Sequence, residues 1–174
     1  MTLSHLDQTG AARMVDVTAK DATERMAVAE GKVIMSRQAL QLVRSNALEK
    51  GDVLAVARLA GTMAAKQTAD LIPLCHPLAL DLVEVEPVLD DALPGVHLIA
   101  TAKVHARTGV EMEALTAVAV GCLTVYDMVK GVDRGMRIEG IRLLLKSGGR
   151  SGEWRADAPG SASPTPESTT RGTP

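Results

Sequence analysis

Aromatic residues are almost missing from this chain. Of 174 residues, Tyr126 and Trp154 are the two aromatics, and there is no phenylalanine. Modules that bind single-stranded nucleic acid stack bases on aromatic platforms, so this composition argues against that class. Charge of one sign is missing too. Nineteen Lys and Arg face 21 Asp and Glu, a net charge of −2, which leaves no general field for a polyanion but allows a local basic pocket. No run of 18 apolar residues occurs, which argues against a membrane span. Residues 1–13 lack the basic-then-apolar pattern of a secretory signal. Two cysteines, Cys75 and Cys122, cannot make a disulfide framework, so a reduced, cytoplasmic setting is expected. The core must come from Leu, Val, Ile, Ala and Met.

What is present divides the chain. Residues 156–174 are mostly Ala, Gly, Ser, Thr and Pro, hold four of the eight prolines, and are predicted to be a disordered tail. Residues 1–12 are expected to be loose, leaving 13–155 as a single domain. Within it, Val96, Leu98, Ala100, Ala102 and Val104 alternate with His97, Ile99, Thr101, Lys103 and His105, the period of a half-buried strand. Val83 and Val85 predict its neighbour, joined to it by a hairpin loop over 90–95. Glu24–Met35 reads as another strand, and Ile138, Ile141, Leu143 and Leu145 as a fourth, with Gly140 a candidate bulge. Ser36 is placed to cap a helix running to Glu49 and ended by Gly51. Asp52 caps a second helix, with Val53, Val56, Leu59, Ala60 and Met63 as its apolar stripe. Thr108 and Glu111 have capping-box spacing before a third helix, which carries Leu115, Val118, Ala119 and Cys122 on one face. This order predicts an α+β fold, a ferredoxin-like antiparallel sheet with helices packed on one face.

Three places carry candidate chemistry. Residues 68–78 read as a loop by their prolines, yet Leu71, Ile72, Leu74 and Leu78 are too apolar for open solvent. Cys75 and His76 stand together there. In extended chain they point to opposite sides, so either the thiol is buried and the imidazole holds a carbonyl, or His76 contacts an anion. A zinc site would need further ligands, with Cys122 the other cysteine available. The helix from Glu111 to Lys130 has Glu111 and Glu113 at its start, where the helix dipole favours acids. Asp127 stands in its last turn, against the dipole, three residues from Lys130. Those two can form a surface ion pair, or Asp127 can serve acid–base chemistry. Finally, Lys146-Ser147-Gly148-Gly149-Arg150-Ser151-Gly152 follows a strand. It is either a flexible loop leading into the tail or a Gly-rich anion cradle without the P-loop pattern.

Together with these, Met14-Val15-Asp16-Val17, Lys50-Gly51-Asp52-Val53, the stretches 60–68, 71–78, 108–116 and 123–130, and the Lys146–Gly152 segment resemble the molybdenum cofactor biosynthesis protein C family, the cyclic pyranopterin monophosphate synthases. The resemblance spans roughly residues 5–155 without a large gap. It implies a lyase that converts 3′,8-cyclo-7,8-dihydroguanosine 5′-triphosphate to cyclic pyranopterin monophosphate and pyrophosphate. It further implies a ferredoxin-like homohexamer, a trimer of dimers with its pocket at a dimer interface. Asp127 matches the catalytic aspartate, and Lys50 and Lys130 the site lysines. Leu74, Cys75, His76, Met112 and Glu113 match substrate-contact segments, joined by Asp16, Lys20, Arg25, Lys66, Glu111 and Lys146. No metal site, required cofactor, nucleic acid or membrane partner is implied, although Mg²⁺ could accompany the triphosphate. Glu113 and Asp127 lie 14 positions apart on the third helix, about 21 Å along its axis but only about 40° apart around it. That distance leads to the expectation that each pocket takes Glu113 from one subunit and Asp127 from the other.

Overall fold

A computed structural model describes residues 10–150 and 152–157. The expected loose ends, 1–12 and 156–174, therefore fall mostly outside the described residues. The first strand, β1 (Thr23–Ile34), alternates Ala27, Ala29 and Val33 inward with Val28, Glu30 and Lys32 outward. Two helices follow, α1 (Arg37–Arg44) and α2 (Val53–Lys66), and then a single turn, α3 (Thr68–Leu71). A hairpin, β2 (Leu82–Asp90) and β3 (Gly95–Ala106), precedes the long helix α4 (Glu111–Val129). β4 (Arg137–Ser147) and the short β5 (Trp154–Arg155) complete the chain. The strands form one antiparallel sheet in the order β2-β3-β1-β4-β5. Its first four strands, interleaved with helices as βαββαβ, have the ferredoxin-like topology.

The hydrophobic pattern builds this directly. The inward residues of β3 (Val96, Leu98, Ala100, Ala102 and Val104) and those of β1 form the floor of the core. α4 covers it with Val118, Cys122, Val125 and Val129. In composition α4 is long and apolar enough to cross a membrane, but half of that stretch is buried inside the molecule, where it serves as the core helix. The β1–β4 register slips between Glu30 and Lys32, opposite Gly140 at φ 66°, so the candidate bulge is present.

Several local expectations change. α1 ends at Arg44 rather than Glu49, because Asn46 turns left-handed at φ 52° and the chain reverses before Gly51. Lys50 thus sits in a turn rather than in a helical last turn. α4 begins at an N-cap, Val110, that offers no side-chain bond. Thr108 is not its cap, and Glu111 bonds Lys146 instead. Residues 68–71 coil into α3 instead of continuing a loop, and the segment after Gly152 adds an edge strand, with the Ala156 amide donating to the Leu144 carbonyl.

The stripe assigned to α2 is the largest correction. Its buried face is Val53, Ala57, Gly61, Ala64 and Ala65, while Leu59 is 61% and Met63 53% exposed and Val56 is exposed beside them. Small residues face α4 because the two helices pack closely. A Cβ on Gly61 would stand 2.8 Å from the Ala117 carbonyl oxygen. The large apolar side chains are left pointing outward.

Candidate active site

Most of the residues singled out in the sequence gather at the two ends of α4. At its C-terminal end, Asp127 is clasped by two ammonium groups. Lys50 Nζ lies 2.8 Å from Oδ2, and Lys130 Nζ 2.7 Å from Oδ1. Lys50 also donates to the Asp127 carbonyl oxygen at 2.8 Å, so the turn after α1 is fastened to the last turn of α4. The C-terminus of a helix disfavours an acid, and here the two lysines reverse that effect. Hydrogen bonds from Lys130 and then Lys50 hold the Asp127 carboxyl at about 2, well below its ordinary 3.8. Asp127 is therefore a carboxylate acceptor between two proton-bearing amines. All three side chains are about half exposed, so the cluster opens to the surface.

At the N-terminal end of α4 lies a cleft of two adjoining cavities. One, about 410 Å³, is lined by Leu74, Cys75 and His76 from the segment after α3 and by Met112 and Glu113 from the first turn of α4. The other, about 530 Å³, contains Lys20, Arg25 and Lys146 with the Gly148-Gly149 loop. Lys20, Thr108, Gly109 and Glu111 line both. Glu113 is only 4% exposed, and burial pushes its carboxyl up, with a smaller push from Glu111. Burial raises the Cys75 thiol as well, followed by the nearby Glu113 charge. The thiol is accordingly protonated near neutrality and is no thiolate nucleophile. Lys146 Nζ stands 3.1 Å from Glu111 Oε1.

Asp16 lies between Val15 and Val17, which line the cleft, but its own carboxylate accepts from the Thr18 amide at 2.8 Å and is not part of the lining. That hydrogen bond lowers its pKa. Lys66, on the exposed side of α2, lines neither cavity. Cys122 is buried in the core and so cannot join Cys75 and His76 at a shared ion. Among the described residues, no three His, Cys, Asp or Glu side chains converge as a metal site. Sequence reasoning did not single out Arg107, Thr108 and Gly109 as cleft residues. Arg107 follows a strand whose alternation explains the residues before it, and nothing local marks it as lining a cavity.

A basic hollow of about 530 Å³ next to a half-apolar slot with a buried acid suits an anionic heterocycle. Residues 14–149 match the family described as the MoaC family. The chain belongs to the MoaC family. A cyclic pyranopterin monophosphate synthase of Methylobacterium sp. (strain 4-46) is 65% identical over 156 residues, 90% of this chain and 98% of the relative. One of Cereibacter sphaeroides (strain ATCC 17029 / ATH 2.4.9) is 62% identical over the same shares. One of Brucella melitensis biotype 2 is 59% identical over 159 residues, 91% of this chain and 96% of the relative. The family match encloses both ends of α4, so the lysine–aspartate cluster and all of the cleft except Arg150 lie within it.

Proposed function

We propose that this chain is a cyclic pyranopterin monophosphate synthase. It is a lyase of molybdenum cofactor biosynthesis that converts (8S)-3′,8-cyclo-7,8-dihydroguanosine 5′-triphosphate to cyclic pyranopterin monophosphate and releases pyrophosphate. The observation that carries this reading is the identity of 59–65% to synthases of that name over nearly the whole length of both partners. The chemistry of the residues agrees. Opening one ring, closing a pyrazine ring and forming a cyclic phosphate require repeated proton transfers. Asp127, ionised between Lys50 and Lys130, is arranged to relay protons with them. The lysine and histidine side chains of the cleft take the triphosphate and offset the charge of the departing pyrophosphate. The rearrangement needs no redox cofactor, and Mg²⁺ would enter as part of the substrate's triphosphate.

The active assembly in this reading is a homohexamer, a trimer of dimers in the cytoplasm, with each pocket at a dimer interface. Two observations support a shared pocket. Asp127 and Glu113 stand about 21 Å apart along one helix axis, too far to flank one reacting atom. Between the two ends, the outer faces of α2 and α4 expose Val56, Leu59, Met63 and Leu123, an apolar surface suited to a second copy. A two-fold axis there sets the start of one α4 against the end of its partner, and Lys66, on the same side of α2, crosses with it. The direct test is to incubate the purified protein with the cyclised GTP derivative and identify products. Equal amounts of cyclic pyranopterin monophosphate and pyrophosphate are expected, and an unchanged substrate overturns the reading.

A further inference from the structure

The larger cavity of the cleft holds more positive charge than the sequence motifs account for. Lys20, Arg25, Arg107, Lys146 and Arg150 line it. Against these five cations stand two acids, Asp21 and Glu111, and Glu111 is already paired with Lys146. Among the described residues, Arg107 and Arg150 have no carboxylate partner. Both are exposed at the rim, Arg107 just past the end of β3 and Arg150 just past the glycine pair that follows β4. Arg25 Nε is buried without a hydrogen-bond partner. Its side chain lies under Gly148 and Gly149, both at positive φ, and a Cβ on Gly149 would overlap the guanidinium. Five cations crowd here against two acids, which costs free energy unless an anion completes the site.

We propose that Arg107 and Arg150 are two further substrate-binding residues, that they grip the diphosphate end of the substrate's tail, and that this grip is complete within one chain. The proposal rests on the synthase reading above and deepens it. An excess of about three positive charges matches the charge of a diphosphate near neutral pH, and guanidinium forks bind phosphate oxygens in pairs. Because Lys20, Thr108, Gly109 and Glu111 also line the neighbouring cavity, a ligand whose anionic end lies here reaches Cys75 and His76 with its heterocycle. Every residue named for the grip belongs to one chain, in contrast to the divided placement of Glu113 and Asp127.

The test is calorimetric titration of the full chain with inorganic pyrophosphate at fixed ionic strength. Wild type is compared with Arg107→Ala, Arg150→Ala and Asp127→Asn. Each arginine variant is expected to weaken pyrophosphate binding by about 10- to 100-fold, the loss that follows removal of one charge-assisted hydrogen-bonding group. Asp127→Asn should bind as wild type does. GTP should displace pyrophosphate and GMP should not, which separates the diphosphate chemistry from recognition of the base. With the cyclised substrate, the arginine variants should raise KM by a similar factor and leave kcat within about two-fold, the signature of lost ground-state binding. Arg107 and Arg150 are exposed, so a matching circular dichroism melt should accompany each change. Pyrophosphate binding that ignores both arginines, or GMP competing as well as GTP, overturns the proposal even if turnover is normal. Arginine-dependent pyrophosphate binding without any turnover would uphold the anion grip and overturn the synthase reading instead.

Discussion

Asp127 and Glu113 are two acids of one helix given opposite characters by their surroundings. Asp127 is exposed and flanked by two amines, so it stays ionised down to about pH 2. Its stabilising attraction to Lys50 and Lys130 is present above the ordinary carboxylate value and is lost as pH falls through the lowered one. Any acid-side loss of kcat/KM above the ordinary carboxylate range is therefore not expected to titrate Asp127. Asp127→Asn and Lys50→Ala should each reduce turnover by orders of magnitude while barely moving the melting temperature, since both groups are half exposed. A large fall in melting temperature with activity per folded molecule intact would make them structural. Glu113 is buried, and its raised pKa has the reverse sign. Its protonated form favours the fold below the ordinary value, and that favour is lost as pH rises through the raised one. Glu113→Gln should melt above wild type at pH 8, with the gap closing toward pH 4. A gain of about 1 kcal/mol would appear as about 2–4 °C in a chain of this length. A gap independent of pH would show that desolvation of the charge is not its cause.

At the scale of elements, the contact of α2 with α4 decides which side of α2 faces outward. Gly61 lies where the helices come closest, with an added Cβ meeting the Ala117 carbonyl oxygen at 2.8 Å and Val85 methyls at 3.2 and 3.3 Å. Alanine is the better helix former by about 1 kcal/mol, but here a backbone oxygen cannot give way without parting the helices. Gly61→Ala is therefore expected to lower stability in urea denaturation, by about 1–3 kcal/mol for overpacking. A stabilised variant would mean that the helices separate easily. The turn after α1 works in the same direction. Asn46 in the left-handed region shortens α1, and the chain it frees carries Lys50 to the carbonyl and carboxylate of Asp127.

For the whole molecule, the apolar outer faces and the two ends of α4 make a joint forecast. Glu113→Ala and Asp127→Ala, each inactive alone, should recover activity when subunits are dissociated and reassembled together. Random pairing makes about half the dimers mixed, each with one intact pocket, so about a quarter of wild-type activity should return. Verified mixed oligomers without activity would mean that both residues serve one pocket from a single chain. Leu59→Glu with Leu123→Glu, placed at 61% and 58% exposed positions, should shift the oligomer toward smaller species in sedimentation and abolish turnover. An unchanged sedimentation profile would remove the helix faces from the interface.

Strand periods, the Ser36 and Asp52 caps and the Gly140 bulge were legible in the sequence because each is a local property. Side chains alternate along a strand whatever lies beyond it, and a cap oxygen reaches only the next turn, as Ser36 does to Ala39 and Asp52 to Ala55. The runs around Lys50, Cys75, Glu113 and Asp127 likewise pointed to the family before any geometry was known. The tertiary structure alone decided four things. It chose the small side of α2 for the core, because closeness to α4 outweighed side-chain size. It took Glu111 from a capping role and gave it to Lys146 across 35 residues of chain. It also drew Arg107 and the Gly148-Gly149 loop to the cavity of Arg25, and buried Glu113 while leaving Asp127 open. Each of these depends on which distant atoms share a volume, and desolvation and charge pairing act through that volume rather than along the chain.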